Sequence, residues 1–384
     1  MRPGTAAWRV VRVGSLLDFA RGSVRERGGF GWLDDAGHVD AARPLELWIN
    51  ARMTYVFAQA HAAGWDGAGD VAEHGVRALD TLFRDREHGG WYAEVAADGS
   101  PRRGAKTCYE HAFVVLAAAS AAGAGVDGAP GLLADALDVH ERRFWDESVG
   151  ACVEEWDRAW TVLDGYRGAN SNMHTVEAYL AAAHTTGDEV WLRRALRIAE
   201  RLVDGHARRH GWRLPEHYDD HWRALPEHNA ERPDDPFRPY GATPGHALEW
   251  SRLLLQLAAR TAEPWLAGAA QSLFDRAVAD AVDASAPGIP YTTGWDGRPV
   301  VAERFHWVMA EAVQAAAAVH RATAREAYAA LEDRWWAEID TWFIDPTNGS
   351  WRHELSPTMG PSARTWRGRP DAYHAWNALT SRSD

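Results

Sequence analysis

"TPGHALEWSRLLLQLAAR", Thr243–Arg260, joins two demands in one helix. From Leu253 onward it is apolar and suited to burial, yet His246 and Glu249 stand in its first two turns. Thr243 reads as the N-cap, and Pro244 occupies the favoured first helical position. His246 then lies in the first turn, where the positive end of the helix dipole favours a neutral, proton-accepting imidazole. Glu249, three residues on, shares that face and is placed to hydrogen-bond the ring or a substrate hydroxyl. "NMHTVE" repeats the arrangement with His174 and Glu177.

The opening recurs along the chain. "YEHAFVVLAAAS", "NMHTVEAYLAAAH", "GHALEWSRLLLQLA", "HWVMAEAVQAAAA" and "YHAWNAL" each begin with an aromatic or histidine and continue as small and large apolar residues. His111 to His174 is 63 residues, His174 to His246 is 72, His246 to His306 is 60 and His306 to His374 is 68. Each interval holds two helices and a connection, a fixed-period signature of repeat architecture. Six pairs fit the 384 residues if the first is built around "NARMTYVF". With a helix at "WRVVRVGSLLDFAR" and one at "DAYHAWNALT", about twelve helices result. No β-branched runs alternate with them, so a parallel sheet is not expected. "GGWYAEVAADGSP" and "GIPYTTGWDGRP" read as hairpins between helices. The expected fold is an all-α (α/α)6 barrel with short β-hairpins in the loops, a single domain over 1–384. The nearly uncharged helices line the inside, with their N-terminal ends on one face. The proline-rich Leu225–Pro244 stretch is expected to lie as a loop over that face.

Composition narrows the function. Hydrophobic residues make up 46% and charged residues 25%, ordinary for a globular protein, and the formal charge is −13. Such acidity, without a basic block, argues against nucleic acid as a partner. Cys108 and Cys152 form no C-x-x-C pair, so a reducing, cytoplasmic setting is expected. Arg9 and Arg12 interrupt any signal-like core, and the longest apolar run, Ala112–Val126, is too short to span a bilayer. The 21 tryptophans suit a wide core first, and stacking on sugar faces second. His206 with His210, and His217 with His221, have i,i+4 spacing but sit in polar, turn-rich stretches without H-E-x-x-H, so no metal is expected. Phosphate-loop and dinucleotide glycine motifs are missing, as are the cysteine and serine nucleophile signatures. One histidine in a helix is most often structural. Several at matching places in a repeat point instead to a shared site.

At these residues the sequence resembles the N-acylglucosamine 2-epimerase superfamily, whose fold is the (α/α)6 barrel. The similarity covers nearly the whole chain. It rests on "NARMTYVFAQA" (50–60), "GANSNMHTVEAYL" (168–180), "RPYGATPGHALEWSRLLL" (238–255), "HWVMAEAVQA" (306–315) and "DAYHAWNAL" (371–379). The 238–255 stretch looks most like the aldose–ketose isomerase branch. The resemblance implies a monosaccharide substrate and cofactor-free proton transfer through a cis-enediol, interconverting D-mannose and D-fructose. By motif position, His246 opens the sugar ring and moves protons on oxygen, and His374 carries the proton between carbons 2 and 1. Arg52 matches an arginine near the sugar oxygens. Asn170 and His174 match the "N-x-x-M-H" pair, Glu249 the glutamate after the first histidine, and Trp307 and Glu311 the "W-x-x-x-E" pair. Arg238 matches a substrate-facing arginine, and Tyr109 is a candidate wall residue. The chemistry fits the residue types, because a proton on carbon beside a carbonyl needs a positioned base and a donor for the developing oxyanion.

Other outcomes remain open at the level of sequence. A sugar 2-epimerase needs the same two histidines. A sulfoquinovose isomerase needs a sulfonate pocket, for which Arg52 and Arg238 are candidates while Pro370 offers no donor. An (α/α)6 glycoside hydrolase needs two flanking carboxylates, and a sugar-binding protein needs only the tryptophan-lined pocket. The sequence does not set the oligomeric state.

Overall fold

The computed structural model describes residues 1–283 and 286–381. Its helices are α1 (Ala6–Arg21), α2 (Leu47–Ala62), α3 (Ala68–Thr81), α4 (Cys108–Gly123), α5 (Ala129–Arg143), α6 (Ala169–Thr186), α7 (Val190–Ala199), α8 (Pro244–Ala258), α9 (Trp265–Ala281), α10 (His306–Thr323), α11 (Glu326–Glu338) and α12 (Tyr373–Thr380). Helices α2, α4, α6, α8, α10 and α12 form an inner ring that closes where α12 meets α2. Helices α3, α5, α7, α9 and α11 each pack outside the inner helix that precedes them. The expected (α/α)6 barrel is present, with one detail the repeat did not supply. Helix α1 is the outer partner of α12, so the two ends of the chain complete the sixth pair. Arg9 seals that junction, donating from Nη1 to the Ser381 carbonyl at 2.7 Å.

The two rings differ in sequence for a physical reason. An inner helix touches protein on every side, so it is apolar all round, whereas an outer helix keeps one polar face for water. In α4, only Tyr109, Ala122 and Gly123 escape full burial; in α3, buried residues such as Ala72, Val76 and Leu79 alternate with exposed charges. Tryptophan serves mainly as core filling: Trp91, Trp250, Trp335, Trp336 and Trp351 are fully enclosed. No helix among the described residues is long and apolar enough to cross a membrane.

What positions the site is the way each inner helix begins. Short extended pieces at Leu45–Glu46, Lys106–Thr107, Arg167–Gly168 and Pro299–Phe305 run straight into α2, α4, α6 and α10. Each is paired antiparallel at the rim, which pins the first helical residue. Ala242, bridged to Thr293, does the same for α8. The two hairpins expected from sequence are Glu94–Val95 with Pro101–Arg103, and Pro290–Thr293 with Pro299–Phe305. At α8 the carbonyl of Thr243 accepts from Ala247 N at 3.1 Å, and Pro244 begins the helix. The Thr243 hydroxyl, expected to cap, has no hydrogen-bond partner.

The entry to α4 is anchored by a buried ion pair. Lys106 Nζ lies 3.0 Å from Asp85 Oδ2, and both side chains are fully enclosed. Asp85→Ala would leave the ammonium buried without its anion. Equilibrium urea unfolding should show a loss of about 3–5 kcal/mol.

Candidate active site

Position along the inner helices decides which side chains meet at the axis. Residues at the second and sixth places of a helix share a face. Those places hold Trp48 and Arg52 in α2, Tyr109 and Phe113 in α4, Asn170 and His174 in α6, and Trp307 and Glu311 in α10. In α12 the second place is His374. Helix α8 departs from the rule, with Gly245 second, His246 third and Glu249 sixth. The departure has a steric cause. A Cβ on Gly245 would lie 2.5 Å from the Trp307 ring, so the missing side chain is what admits the indole.

Trp48, Arg52, Tyr109, Asn170, His174, His246, Glu249, Trp307 and His374 line one cavity at the N-terminal ends of the inner helices. The indole of Trp307 packs near two imidazoles, 5.2 Å from His246 and 5.7 Å from His374 by ring centres. Each imidazole is held from behind by a carboxylate. His246 Nδ1 is 3.0 Å from Glu216 Oε1, and His374 Nδ1 is 2.9 Å from Glu311 Oε1. With Nδ1–H donating to the carboxylate, Nε2 carries the lone pair in both rings. Burial and the Arg52 charge push His374 well below the ordinary histidine range, so it rests neutral. Burial likewise lowers His174 to about 4.

Arg52 points both arms of its fork at fixed partners. Nη1 lies 3.2 Å from Asp371 Oδ2, and Nη2 donates to the Tyr109 hydroxyl at 2.9 Å. Burial alone would raise Asp371, but the guanidinium holds it below the usual carboxylate range. Beneath the cavity, Arg252 Nε donates to Glu311 Oε2 at 3.0 Å and Nη2 to Glu177 Oε1 at 3.4 Å. The Tyr373 hydroxyl donates to the other Glu177 oxygen. Glu249 lies 3.5 Å from Arg252, and burial beside two other carboxylates pushes its pKa far up, so it rests protonated.

Several expectations change here. Glu249 does not reach His246; its near neighbour is His174 Nδ1, at 3.8 Å. Glu311 lies under the cavity and acts on His374 rather than lining the wall. Arg238 lines an outer cleft instead, where it lies over the Tyr166 ring at 4.0 Å and 3.7 Å from Glu155. His111 belongs to the core, with Nδ1 2.8 Å from the Thr107 carbonyl, because it stands fourth in α4 and faces outward. The Leu225–Pro244 loop does cover the mouth, and its Phe237 packs against Trp48, Tyr109 and Trp366. His217 is spent in holding that loop, with Nε2 2.7 Å from the Pro239 carbonyl.

Sequence reasoning missed Trp48, Glu216, Arg252 and Asp371, and gave His306, one of the repeat histidines, no place of its own. The second-and-sixth rule would have found Trp48. Asp371 stood inside the quoted "DAYHAW", whereas Glu216 comes from a loop with no periodic signal. Among the described residues, three buried groups bring metal-ligating atoms within 4.8 Å of one another: His174–Glu177–Glu249, Glu249–Glu311–His374 and Cys108–His140–Cys152. In the first two, the Arg252 guanidinium already supplies the positive charge among the carboxylates. In the third, Cys108 Sγ is 3.5 Å from Thr175 Oγ1 and 3.8 Å from His140 Nε2, and His140 Nδ1 is 3.0 Å from the Tyr179 hydroxyl.

The family model for N-acylglucosamine 2-epimerase (GlcNAc 2-epimerase) matches residues 28–378. The chain belongs to that family. A D-mannose isomerase of Thermobifida fusca is 46% identical over 382 residues, covering 98% of this chain and 94% of the relative. One from Pseudomonas cannabina pv. alisalensis is 43% identical over 383 residues, covering 98% and 92%. A crystal structure of D-mannose isomerase superposes with a TM-score of 0.94 at 28% identity, covering 99% of each chain. This member of the family is accordingly an isomerase, built on the same barrel.

Gly245 supplies a test of the geometry. Gly245→Ala should drive Trp307 out of its place beside the histidines. With helicity unchanged by circular dichroism, kcat/KM should fall about 10²-fold, the scale of an ångström-sized misplacement.

Proposed function

We propose that the chain interconverts D-mannose and D-fructose through a cis-enediol, without a cofactor. The observation that carries this reading is the pair of carboxylate-backed imidazoles that line one cavity with Trp307. His246 moves protons on oxygen to open the pyranose ring. His374 Nε2 takes the proton from carbon 2, the electron pair forms the C1=C2 bond, and the former aldehyde oxygen gains a proton. Return of the proton to carbon 1, with loss of the hydroxyl proton on oxygen 2, gives the ketose. Glu311 and Glu216 stabilise the imidazolium that each histidine becomes. Arg52 Nε, which has no partner in the protein, is the donor available to a developing enediolate oxygen.

The orphan atoms of the wall support a polyhydroxylated ligand. Arg52 Nε, Asn170 Oδ1, His174 Nδ1, both oxygens of Glu249 and His306 Nε2 are buried without hydrogen-bond partners, and all belong to cavity-lining residues. Unmatched polar atoms are costly, and their concentration around one cavity fits a partner bringing many hydroxyls. The charge pattern favours an uncharged sugar. Among the described wall residues, the one arginine is Arg52, already paired with Asp371, and there is no lysine. A phosphate or sulfonate would find no free cation, which argues against a sulfoquinovose reading. Hydrolysis is also disfavoured. The two wall carboxyls are Glu249 and Asp371, and Asp371 is committed to Arg52.

Incubation with D-mannose in D2O with chelator, followed by NMR, should yield D-fructose carrying some deuterium at carbon 1. D-Glucose as the product would make the chain a 2-epimerase, and an unchanged substrate would sink proton transfer on this sugar. His246→Ala and His374→Ala should each lower kcat by about 10²–10⁴-fold with the fold retained.

A further inference from the structure

His306 opens α10, directly before Trp307, and lines the cavity. Nothing in the proton-transfer scheme uses it. Its ring is nevertheless held by defined contacts. Pairing of Arg304 with Leu355 and Phe305 with Glu354 sets the register between the two chain segments. That register places His353 against His306, with the rings stacked at 3.8 Å between centres and 18° between planes. The His353 carbonyl receives the His306 backbone N–H at 3.1 Å and lies 3.4 Å from His306 Nδ1. A carbonyl only accepts, so Nδ1 carries the proton and Nε2 the lone pair.

That Nε2 is buried and has no partner in the protein. Burial lowers His306 to about 4 and His353 well below the ordinary range, so neither stacked ring carries charge near neutral pH. The groups facing the pair are Asp371, Arg52, Arg369 and His374. Asp371 binds Arg52, Arg369 binds Asp345 at 2.7 Å, and His374 binds Glu311. None of them is a donor for Nε2. The donor is therefore supplied by whatever occupies the cavity that His306 lines.

We infer that His306 is a specificity-determining residue whose Nε2 accepts a hydrogen bond from one hydroxyl of the sugar, away from the carbons that exchange protons. The chemistry recognised is a neutral O–H donor. An ether, a deoxy carbon or an anionic oxygen at that place offers no proton. The inference rests on the cavity being a monosaccharide site, as proposed above.

The test pairs enzyme variants with deoxy sugars. D-Mannose and its 3-, 4- and 6-deoxy analogues are compared on the unaltered protein, His306→Leu and His306→Gln, by turnover and by titration calorimetry. The unaltered protein should disfavour one analogue by roughly 10–100-fold, since loss of the hydroxyl leaves a buried acceptor unmet. His306→Leu should treat that analogue and mannose alike, while keeping the ordinary discrimination against the other two. His306→Gln, which retains an acceptor, should restore part of the preference. A merely structural histidine would lower all four sugars together and leave their ratios unchanged, and that result overturns the assignment. If His306→Leu fails to fold, equal handling of all three analogues by the unaltered protein overturns it as well. Binding of mannose without turnover would sink only the isomerase reading, because the binding ratios still judge His306. Absence of both binding and turnover would sink both.

Discussion

One guanidinium surrounded by three carboxylates governs the centre of this barrel. Arg252 projects from α8 and meets Glu177 of α6, Glu249 of its own helix and Glu311 of α10. Glu177 passes the connection to Tyr373 of α12, and Glu311 passes it to His374. Four inner helices are thereby tied through one buried cation. Three negative charges around one positive charge cannot all persist out of water. Burial beside the other carboxylates raises Glu249, while His174, Arg252 and the Tyr373 hydroxyl bring Glu177 down to about 2 against the burial that would raise it. The arrangement leaves Glu311 free to accept from His374, which fixes the tautomer at the place where a base is wanted.

The barrel was legible because the inner-ring constraint is severe. A helix enclosed on every side admits few charges, so its sequence stands out, and the recurrence of such segments counted the pairs. Pairing across the ends was not legible, since α1 carries no mark of being the partner of α12. Within the site, His246, His374, Arg52 and Asn170 stand near helix starts and were found there. His111 was drawn in by the same logic and proved to be a core residue. A histidine in the first turn is a weaker guide than the exact place in the turn: fourth faces the outer ring, second and sixth face the axis. Arg238 stands outside the central cavity for another reason. It lies on a loop, where no helical period constrains direction, and Glu155 and Tyr166 draw it into the outer cleft. Glu216 left no trace in sequence because its function depends on a loop that folds back toward α8 only in three dimensions.

Helix α8 shows why the irregular repeat is the informative one. Five inner helices present a side chain at the second place, and in four of them that side chain is an aromatic ring or a histidine. Had α8 done the same, its side chain would have collided with Trp307, given the 2.5 Å approach at Gly245. Glycine there admits the indole, and the histidine moves to the third place, rotated around the helix toward Glu216. The shift turns His246 toward Glu216 while Trp307 stays near both imidazoles. Trp307 gives both imidazoles a shared apolar neighbour, tilted 34° from one ring and 39° from the other. The same glycine would be an unexplained cost in an isolated helix, where it weakens the first turn relative to alanine. Its presence in the segment that carries His246 is therefore explained by the neighbouring helix, so the histidine spacing that drew attention in the sequence is a consequence of how α10 packs against α8.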